Sequence, residues 1–189
     1  TRSLIRRGFS GFMKKLIAKA REKRIRWQII ACGSRNDAFS NFMNALEDHP
    51  DAFNVLLVDS EDPVDTTPWE HLQNRDGWNS QGIDDEHCHL MIQMMESWFI
   101  ADINTLKQFY GQGFQENSLP RNQKVEEIKK RDLESALKRA TERTSKGVYH
   151  KTRHGPKLLE QLDADKVRSA APYCDRLFTT LAEKMGVSI

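Results

Sequence analysis

The stretch FNVLLVDSED, residues 53–62, is the most informative part of this chain for predicting its fold. A short apolar run bounded by turn-forming residues is typical of a β-strand buried on both faces. Three acids, Asp59, Glu61 and Asp62, follow the run at the end where open α/β sheets bind their ligands. Crowded carboxylates repel one another, and oxygen ligands suit Mg²⁺ or Mn²⁺. The pattern therefore indicates either a cation site or a solvated turn after a core strand.

Predicted helices and strands alternate along the first 110 residues. Apolar runs predict the strands, and amphipathic or capped segments predict the helices. The strands are expected at 27–32, 53–58 and 88–92, the helices at 3–24, 34–46 and 96–110, and a long loop at 60–85. Such alternation predicts a parallel sheet with right-handed crossovers. We therefore expect a Rossmann-like α/β core, a parallel sheet flanked by helices, over residues 1–110.

The remainder of the chain, residues 111–189, is predicted to be helical. A polar linker is followed by predicted helices at 131–143, 156–162, 164–170 and 172–185. We expect this C-terminal extension to pack on the same domain, because 189 residues is an ordinary length for one domain.

The α/β core is expected to begin before the first residue given. Sheets of this kind normally start with a strand, whereas this sequence starts within a predicted helix. We expect a strand in the roughly 10–25 residues before Thr1, ending in an acidic residue, most simply a glutamate, beside Asp59.

Composition excludes some classes of protein. The chain is 38% hydrophobic, and no apolar run approaches the roughly 20 residues of a membrane span. Its cysteines, Cys32, Cys88 and Cys174, are distant and odd in number, so reduced thiols, a cytoplasmic location and no zinc spacing are expected.

Charge is unevenly distributed, although the net charge is only +2. Residues 1–26 contain ten Lys or Arg and one acid, residues 51–70 contain six acids and no Lys or Arg, and residues 139–157 are basic again. An acidic pocket between basic surfaces suits an enzyme that acts on phosphodiesters. For any single basic run, however, an ordinary solvated helix face is the simpler interpretation.

Five segments together resemble a known family. They are TRSLIRRGFSGFMKKL, ACGSRNDAF, LLVDSEDPV, CHLMIQMMESWFIAD and YHKTRHGPKLLE, beginning at residues 1, 31, 56, 88 and 149. The chain resembles, over nearly its whole length, a family of bacterial TOPRIM-like proteins often encoded beside AAA-type or OLD-like ATPases in phage-defence and restriction loci. The resemblance implies a TOPRIM-like fold.

The acids of the first stretch match a TOPRIM signature. Asp59 and Glu61 match the Asp-x-Asp positions of that family, with Glu in place of the second Asp. The resemblance implies that both bind Mg²⁺ or Mn²⁺, together with a glutamate from the strand expected before Thr1.

Two further acids follow the predicted strand at 88–92. Glu96 begins the next helix, so it is expected at the same edge of the sheet as Asp59, as a further metal ligand and catalytic residue. Asp102 lies six positions later, on another helix face, and is a candidate N-cap for a helix from Ile103.

The segment at 150–157 is the strongest candidate for binding phosphate. Gly155 and Pro156 predict a loop that enters a helix, and helix N-termini with Arg and Lys bind anions. Lys157 is a candidate catalytic cation for the charge of a phosphorane. The candidate nucleic-acid contacts are Arg35, Lys151, Arg153, His154 and Lys157. The spacing of His150 and His154 also suits zinc, but no third ligand is suitably placed.

The leading hypothesis from sequence is a divalent-metal-dependent nuclease, an effector of phage defence that acts on DNA or RNA. One alternative is a non-catalytic interaction module that docks onto a partner ATPase. Another is a transferase or hydrolase that acts on a small nucleotide. Homo-oligomer formation is left open, and no membrane partner is expected.

Overall fold

The computed structural model describes residues 2–189 as a helix-rich α/β fold. In that part of the chain, ten α-helices surround one small parallel sheet. The elements are α1 (Arg2–Phe12), α2 (Lys14–Glu22), α3 (Arg35–Asp48), β1 (Leu56–Asp59), α4 (Pro68–Asp76), β2 (Cys88–Met91), α5 (Glu96–Ala101), α6 (Ile103–Tyr110), α7 (Lys130–Thr141), α8 (Lys151–Gln161), α9 (Ala164–Ala170) and α10 (Pro172–Met185).

The sheet consists of β1 and β2, which pair in parallel with Leu56 opposite Cys88 and Asp59 opposite Met91. Hydrogen bonding continues past β1, where Ser60 N donates to the Met91 carbonyl at 2.9 Å. Both strands lie within apolar runs that predicted them. The sheet thus brings the residues after β1 and after β2 to the same edge.

The prediction of a strand at residues 27–32 is wrong. Within residues 2–189 this segment belongs to no strand, and its peptide groups form no hydrogen bond with other backbone groups. Ile30 is 62% exposed. Apolar, β-branched composition favours a strand only where another strand supplies the hydrogen bonds, and no described segment does so here. The strand expected before Thr1 lies outside the described residues.

The predicted loop at 60–85 contains a helix, α4. Thr67 caps this helix by accepting a hydrogen bond from Glu70 N, Pro68 occupies its first turn, and Gly77 ends it with φ +72°. These are ordinary start and stop signals. The segment was nevertheless predicted to be a loop because its composition is polar.

The helix α8 begins at Lys151, five residues before the start expected at Pro156. Proline inside a helix removes one N–H donor and usually disfavours the preceding turn. Here Gly155 and Pro156 are both buried, so tertiary packing outweighs the local preference.

Packing of α1 against α8 depends on two glycines. A Cβ atom on Gly8 would lie 2.6 Å from the Pro156 carbonyl oxygen, and one on Gly11 would lie 2.7 Å from that of Glu160. Only glycine allows the two backbones to approach so closely. This contact fixes the position of α8, whose first residue is Lys151.

Two apolar clusters form the core. The larger joins helices from both 1–110 and 111–189, with the Phe12 ring stacked 5.0 Å from the fully buried Trp98. The smaller lies under the sheet, where Trp69 and Trp78 are buried against α3. These two tryptophans therefore pin the 60–85 segment to the domain, and little of either ring reaches solvent.

Candidate functional site

Asp59 lies at the carboxyl end of β1 and is held from two sides. Its Oδ1 accepts a hydrogen bond of 2.8 Å from Met95 N, at the start of α5. Its Oδ2 lies 3.0 Å from Lys151 Nζ. Because the backbone holds one oxygen, the other is directed at a fixed position.

Glu96, the first residue of α5, is a buried carboxylate with spare bonding capacity. Its side chain is 1% exposed, and Oε1 accepts a hydrogen bond of 2.7 Å from Tyr149 Oη. Oε2 has no hydrogen-bond partner among the described residues. Burial raises the pKa of Glu96, although Lys151 and Tyr149 act in the opposite direction.

Lys151 lies between these two carboxylates. Its Nζ is 3.0 Å from Asp59 Oδ2 and 3.6 Å from Glu96 Oε2, while half of its side chain is exposed. Burial acts to lower the pKa of Lys151, but Asp59 and Glu96 outweigh it and hold that pKa above its ordinary value. One ammonium group therefore pairs with two acids, Asp59 at the end of β1 and Glu96 after β2.

Glu61 lies beside this cluster, but a different lysine pairs with it. Its N–H donates to the Gln93 carbonyl at 2.7 Å, and its carboxylate forms an ion pair with Lys130. Glu61 has φ +68°, a backbone conformation unfavourable for a residue with a side chain. Asp62 points outward and pairs with Arg75 at 2.8 Å.

Arg35 and His154 are both committed to contacts within the protein. Arg35 donates to the Asp59 carbonyl, pairs with Asp76 and lies 5.0 Å from the Trp78 ring centroid. His154 is buried, with Nδ1 3.0 Å from Tyr110 Oη and Nε2 accepting from Arg153. His154 thus presents no exposed ring nitrogen to nucleic acid or to zinc.

Arg153 and Lys157 are exposed along α8. Arg153 Nη2 donates to the Lys146 carbonyl at 3.3 Å. Lys157 lines a small surface cavity of about 250 Å³ between α1 and α8. Six residues of helix separate Lys157 from Lys151, so the two lie about 9 Å apart along the axis and on different faces. The structure therefore places Lys157 away from Asp59 and Glu96.

Asp102 serves the fold and not this cluster. It separates α5 from α6, as expected for a helix start, but its carboxylate accepts hydrogen bonds from Thr105 Oγ1 and Asp163 N. Lys166 Nζ lies 2.9 Å away. Asp102 thereby ties α6 to the start of α9.

The comparisons with known proteins identify a family. A family described as "Domain of unknown function (DUF4276)" matches residues 6–182. The chain belongs to this family. No curated protein and no solved structure matches the chain. Because the family match extends from α1 to α10, the family unit includes both the sheet edge with Asp59 and the helix that carries Lys151.

Residues around the candidate site partly suit a divalent cation. Within residues 2–189, no three His, Cys, Asp or Glu side chains converge as a metal-binding group. Two carboxylate oxygens do face one cation position, and Glu96 Oε2 is buried without a hydrogen bond. Hard oxygen donors of this kind are the ligands that Mg²⁺ and Mn²⁺ accept. Asp59 and Glu96 could therefore hold such an ion, with the remaining positions filled by water or substrate.

Sequence analysis missed Tyr149 and Lys130 as parts of this cluster. Tyr149 directly precedes the basic segment, and Lys130 ends the polar linker. Neither matches a motif for catalysis or metal binding, although Tyr149 begins the segment YHKTRHGPKLLE, and both reach the sheet edge through long-range packing. The structure also has no helix, within residues 2–189, long and apolar enough to cross a membrane.

Proposed function

We propose that this chain is a divalent-metal-dependent phosphodiesterase that cleaves DNA or RNA. The observation that supports this most is Glu96, a buried carboxylate set beside Asp59 at the carboxyl end of a parallel sheet, with one oxygen that has no hydrogen bond and whose neighbouring ammonium, Lys151 Nζ, is 3.6 Å away. A buried carboxylate oxygen without a hydrogen bond is costly, so its retention favours a role in binding a cation.

Each side chain of the cluster has a part in the proposed reaction. Asp59 and Glu96 would hold the ion, and a divalent ion bound there would supply a Lewis acid for a phosphate and lower the pKa of a bound water. Met95 N and Tyr149 Oη orient these carboxylates. Lys151 and Lys130 would neutralise charge on the phosphate. Lys157 lies too far from Asp59 and Glu96 to act on the same phosphate group. Glu61 remains a candidate ligand if its pair with Lys130 opens.

The proposal includes a TOPRIM-like core and a role as a phage-defence effector beside an AAA-type ATPase. Two parallel strands followed by Asp59 and Glu96 support the first part. The defence role and the partner come from the family resemblance described above.

Metal binding is the direct test, with Mn²⁺ titrated calorimetrically into wild type, Asp59→Asn, Glu96→Gln and Asp62→Asn. We expect Asp59→Asn and Glu96→Gln each to weaken Mn²⁺ binding by at least about tenfold, since each removes one charged ligand. Asp62→Asn is the matched control, because Asp62 is exposed and paired with Arg75. Equal affinities in all four proteins would contradict the proposed ligands.

Cleavage assays then separate the possible substrates. Single-stranded DNA, duplex DNA and RNA are incubated with wild type and Asp59→Asn in the presence of Mn²⁺. Cleavage of a polymer by wild type alone supports the nuclease. Turnover of mononucleotides alone would instead indicate the small-nucleotide enzyme.

A non-catalytic interaction module is the second candidate. It is favoured by one observation, the pairing of each acid at this edge with a lysine, Asp59 and Glu96 with Lys151 and Glu61 with Lys130. Such pairs could be purely structural. Wild type that neither binds Mn²⁺ nor cleaves any of the substrates would favour this candidate.

A further inference from the structure

We propose that Lys151 is a built-in competitor for the cation of this site, occupying the position between Asp59 and Glu96 until a divalent ion displaces its ammonium group toward solvent. This inference rests on the proposed metal site. It adds a regulatory role to a residue that the sequence marked only as a phosphate contact.

The three side chains differ in how freely they can move. Glu96 is 1% and Asp59 13% exposed, and each has an oxygen fixed by Tyr149 Oη or Met95 N. Lys151 is half-exposed and lies in the first turn of α8. An arriving cation would therefore displace the lysine and leave the carboxylates in place.

Charge favours the exchange. Two carboxylates and one ammonium leave a net charge of about −1 at a largely buried position, whereas a divalent cation would balance both acids. The neighbouring pair of Glu61 and Lys130 is already neutral, so it does not supply the missing charge. The ammonium of Lys151 thus neutralises only one of the two carboxylate charges, and a divalent cation that neutralises both would displace it.

Displacement would also create a phosphate contact. In its present position the Lys151 ammonium has, among the described residues, no carboxylate within 4.0 Å other than those of Asp59 and Glu96, so displacement from these two acids would leave its charge available. It would remain at the edge of the site on a flexible stem, where a phosphate oxygen of a substrate could accept its hydrogen bonds. Binding of metal would in this way prepare the binding of an anionic substrate.

The first experiment compares Mn²⁺ affinity in four proteins by calorimetry. We expect Lys151→Gln to bind Mn²⁺ roughly tenfold more tightly than wild type, because the competing charge is gone. Lys151→Arg, which keeps the charge, should bind no more tightly than wild type. Lys157→Gln is the matched control, since it removes a positive charge from the same helix away from the site, and its affinity should equal that of wild type.

The second experiment uses wild type alone, so that it does not depend on how a variant folds. An amine-reactive reagent labels the protein with and without Mn²⁺, and peptide mass spectrometry measures each lysine. Mn²⁺ should raise the labelling of Lys151 several-fold, because the displaced amine would leave its position between the Asp59 and Glu96 carboxylates and become accessible to the reagent. Labelling of Lys157 should not change.

The outcomes distinguish this inference from the metal proposal on which it rests. Equal Mn²⁺ affinity in wild type and Lys151→Gln, with unchanged Lys151 labelling, would overturn the competitor role and leave the metal site standing. No Mn²⁺ binding in either protein would overturn both. Tighter binding in Lys151→Gln but not in Lys151→Arg or Lys157→Gln would support the inference.

Discussion

The two ends of the small sheet bury charged groups in different ways. At the amino end, His89 on β2 is fully buried, with Nε2 2.9 Å from the Glu86 carbonyl oxygen and Nδ1 3.1 Å from Arg176. Arg176 also donates to the carbonyl oxygens of Cys88 and Asp85. At the carboxyl end, Glu96 is equally buried, yet its Oε2 has no hydrogen bond.

This difference separates a structural end from a candidate functional end. Where buried polar groups satisfy one another, nothing remains to bind a ligand, and their loss affects only stability. Where one oxygen of a buried acid has no hydrogen bond, the protein retains a cost in free energy that a closely bound divalent cation could relieve.

The largest expected effect is on stability at the amino end. Arg176→Met should lower the free energy of unfolding by about 4 kcal/mol, because two carbonyls and His89 would lose a charged donor. Lys151→Met at the carboxyl end should cost only about 1–2 kcal/mol, since half of that side chain is exposed. Urea denaturation of both variants at one pH gives the two values, and equal costs would remove the distinction between the ends.

The next effect concerns acid and His89. Burial, together with the nearby charge of Arg176, lowers the pKa of His89 to about 4. Between pH ~6.5 and ~4 the unfolded chain therefore binds a proton at His89 that the folded protein does not bind. The contribution of His89 to the free energy of unfolding is complete above pH ~6.5 and decreases by about 3 kcal/mol as the pH falls toward ~4. In His89→Gln, urea denaturation between pH 4 and 7 should show a correspondingly flatter dependence. An unchanged slope would mean that His89 is not held neutral.

Glu126 should act in the opposite direction and more weakly. Burial raises its pKa to about 7, although Tyr173 N donates to it at the start of α10. The contribution of protonated Glu126 to the free energy of unfolding is therefore complete below pH ~4.5 and is lost as the pH rises through ~7. Because the carboxylate is partly exposed, we expect about 1 kcal/mol. Glu126→Gln should be relatively more stable than wild type above pH 7 than at pH 5, and a constant difference between the two would contradict this assignment.

The sequence allowed the acids of the candidate site to be located. It did not show that the ammonium group of Lys151 lies between them. Asp59 and Glu96 follow two apolar runs, and parallel strands bring such residues to one edge. Lys151 reaches that edge only because Gly8 and Gly11 allow α1 to hold α8 closely. No local pattern encodes a contact between residues 92 positions apart. Packing of α8 against α6 likewise buries His154, which the sequence marked as a nucleic-acid contact, beside Tyr110 and Phe109.

The limits of predicting the fold have a similar cause. Helices such as α3 and α10 follow from apolar periodicity and end signals near their own residues, and the structure contains both. The segment 27–32 has the composition of a strand, but a strand also requires a partner elsewhere in the chain. Pro156 signals a helix start locally, yet α8 extends to Lys151 because its buried face is held by other helices.

The smallest expected effect is on the salt dependence of nucleic-acid binding. Arg153 and Lys157 are exposed and pair with no carboxylate among the described residues. If they contact phosphates, each releases about one counterion, so their joint change to Gln should flatten the slope of log K against log salt by up to about 2. Fluorescence anisotropy of a labelled single-stranded DNA, over a range of NaCl concentrations, measures that slope.

Lys151 sharpens this last prediction, because its contribution should depend on metal. Without Mn²⁺ its ammonium is held by Asp59 and Glu96, and Lys151→Gln should leave the salt slope unchanged. With Mn²⁺ the released lysine should contribute about one further unit, which the variant lacks. The titration keeps both acids and uses single-stranded DNA with phosphorothioate linkages, which resist hydrolysis, so that wild type and Lys151→Gln can be compared with and without Mn²⁺. A slope that depends on Lys151 equally with and without Mn²⁺ would show that the lysine contacts phosphate throughout and never competes for the cation.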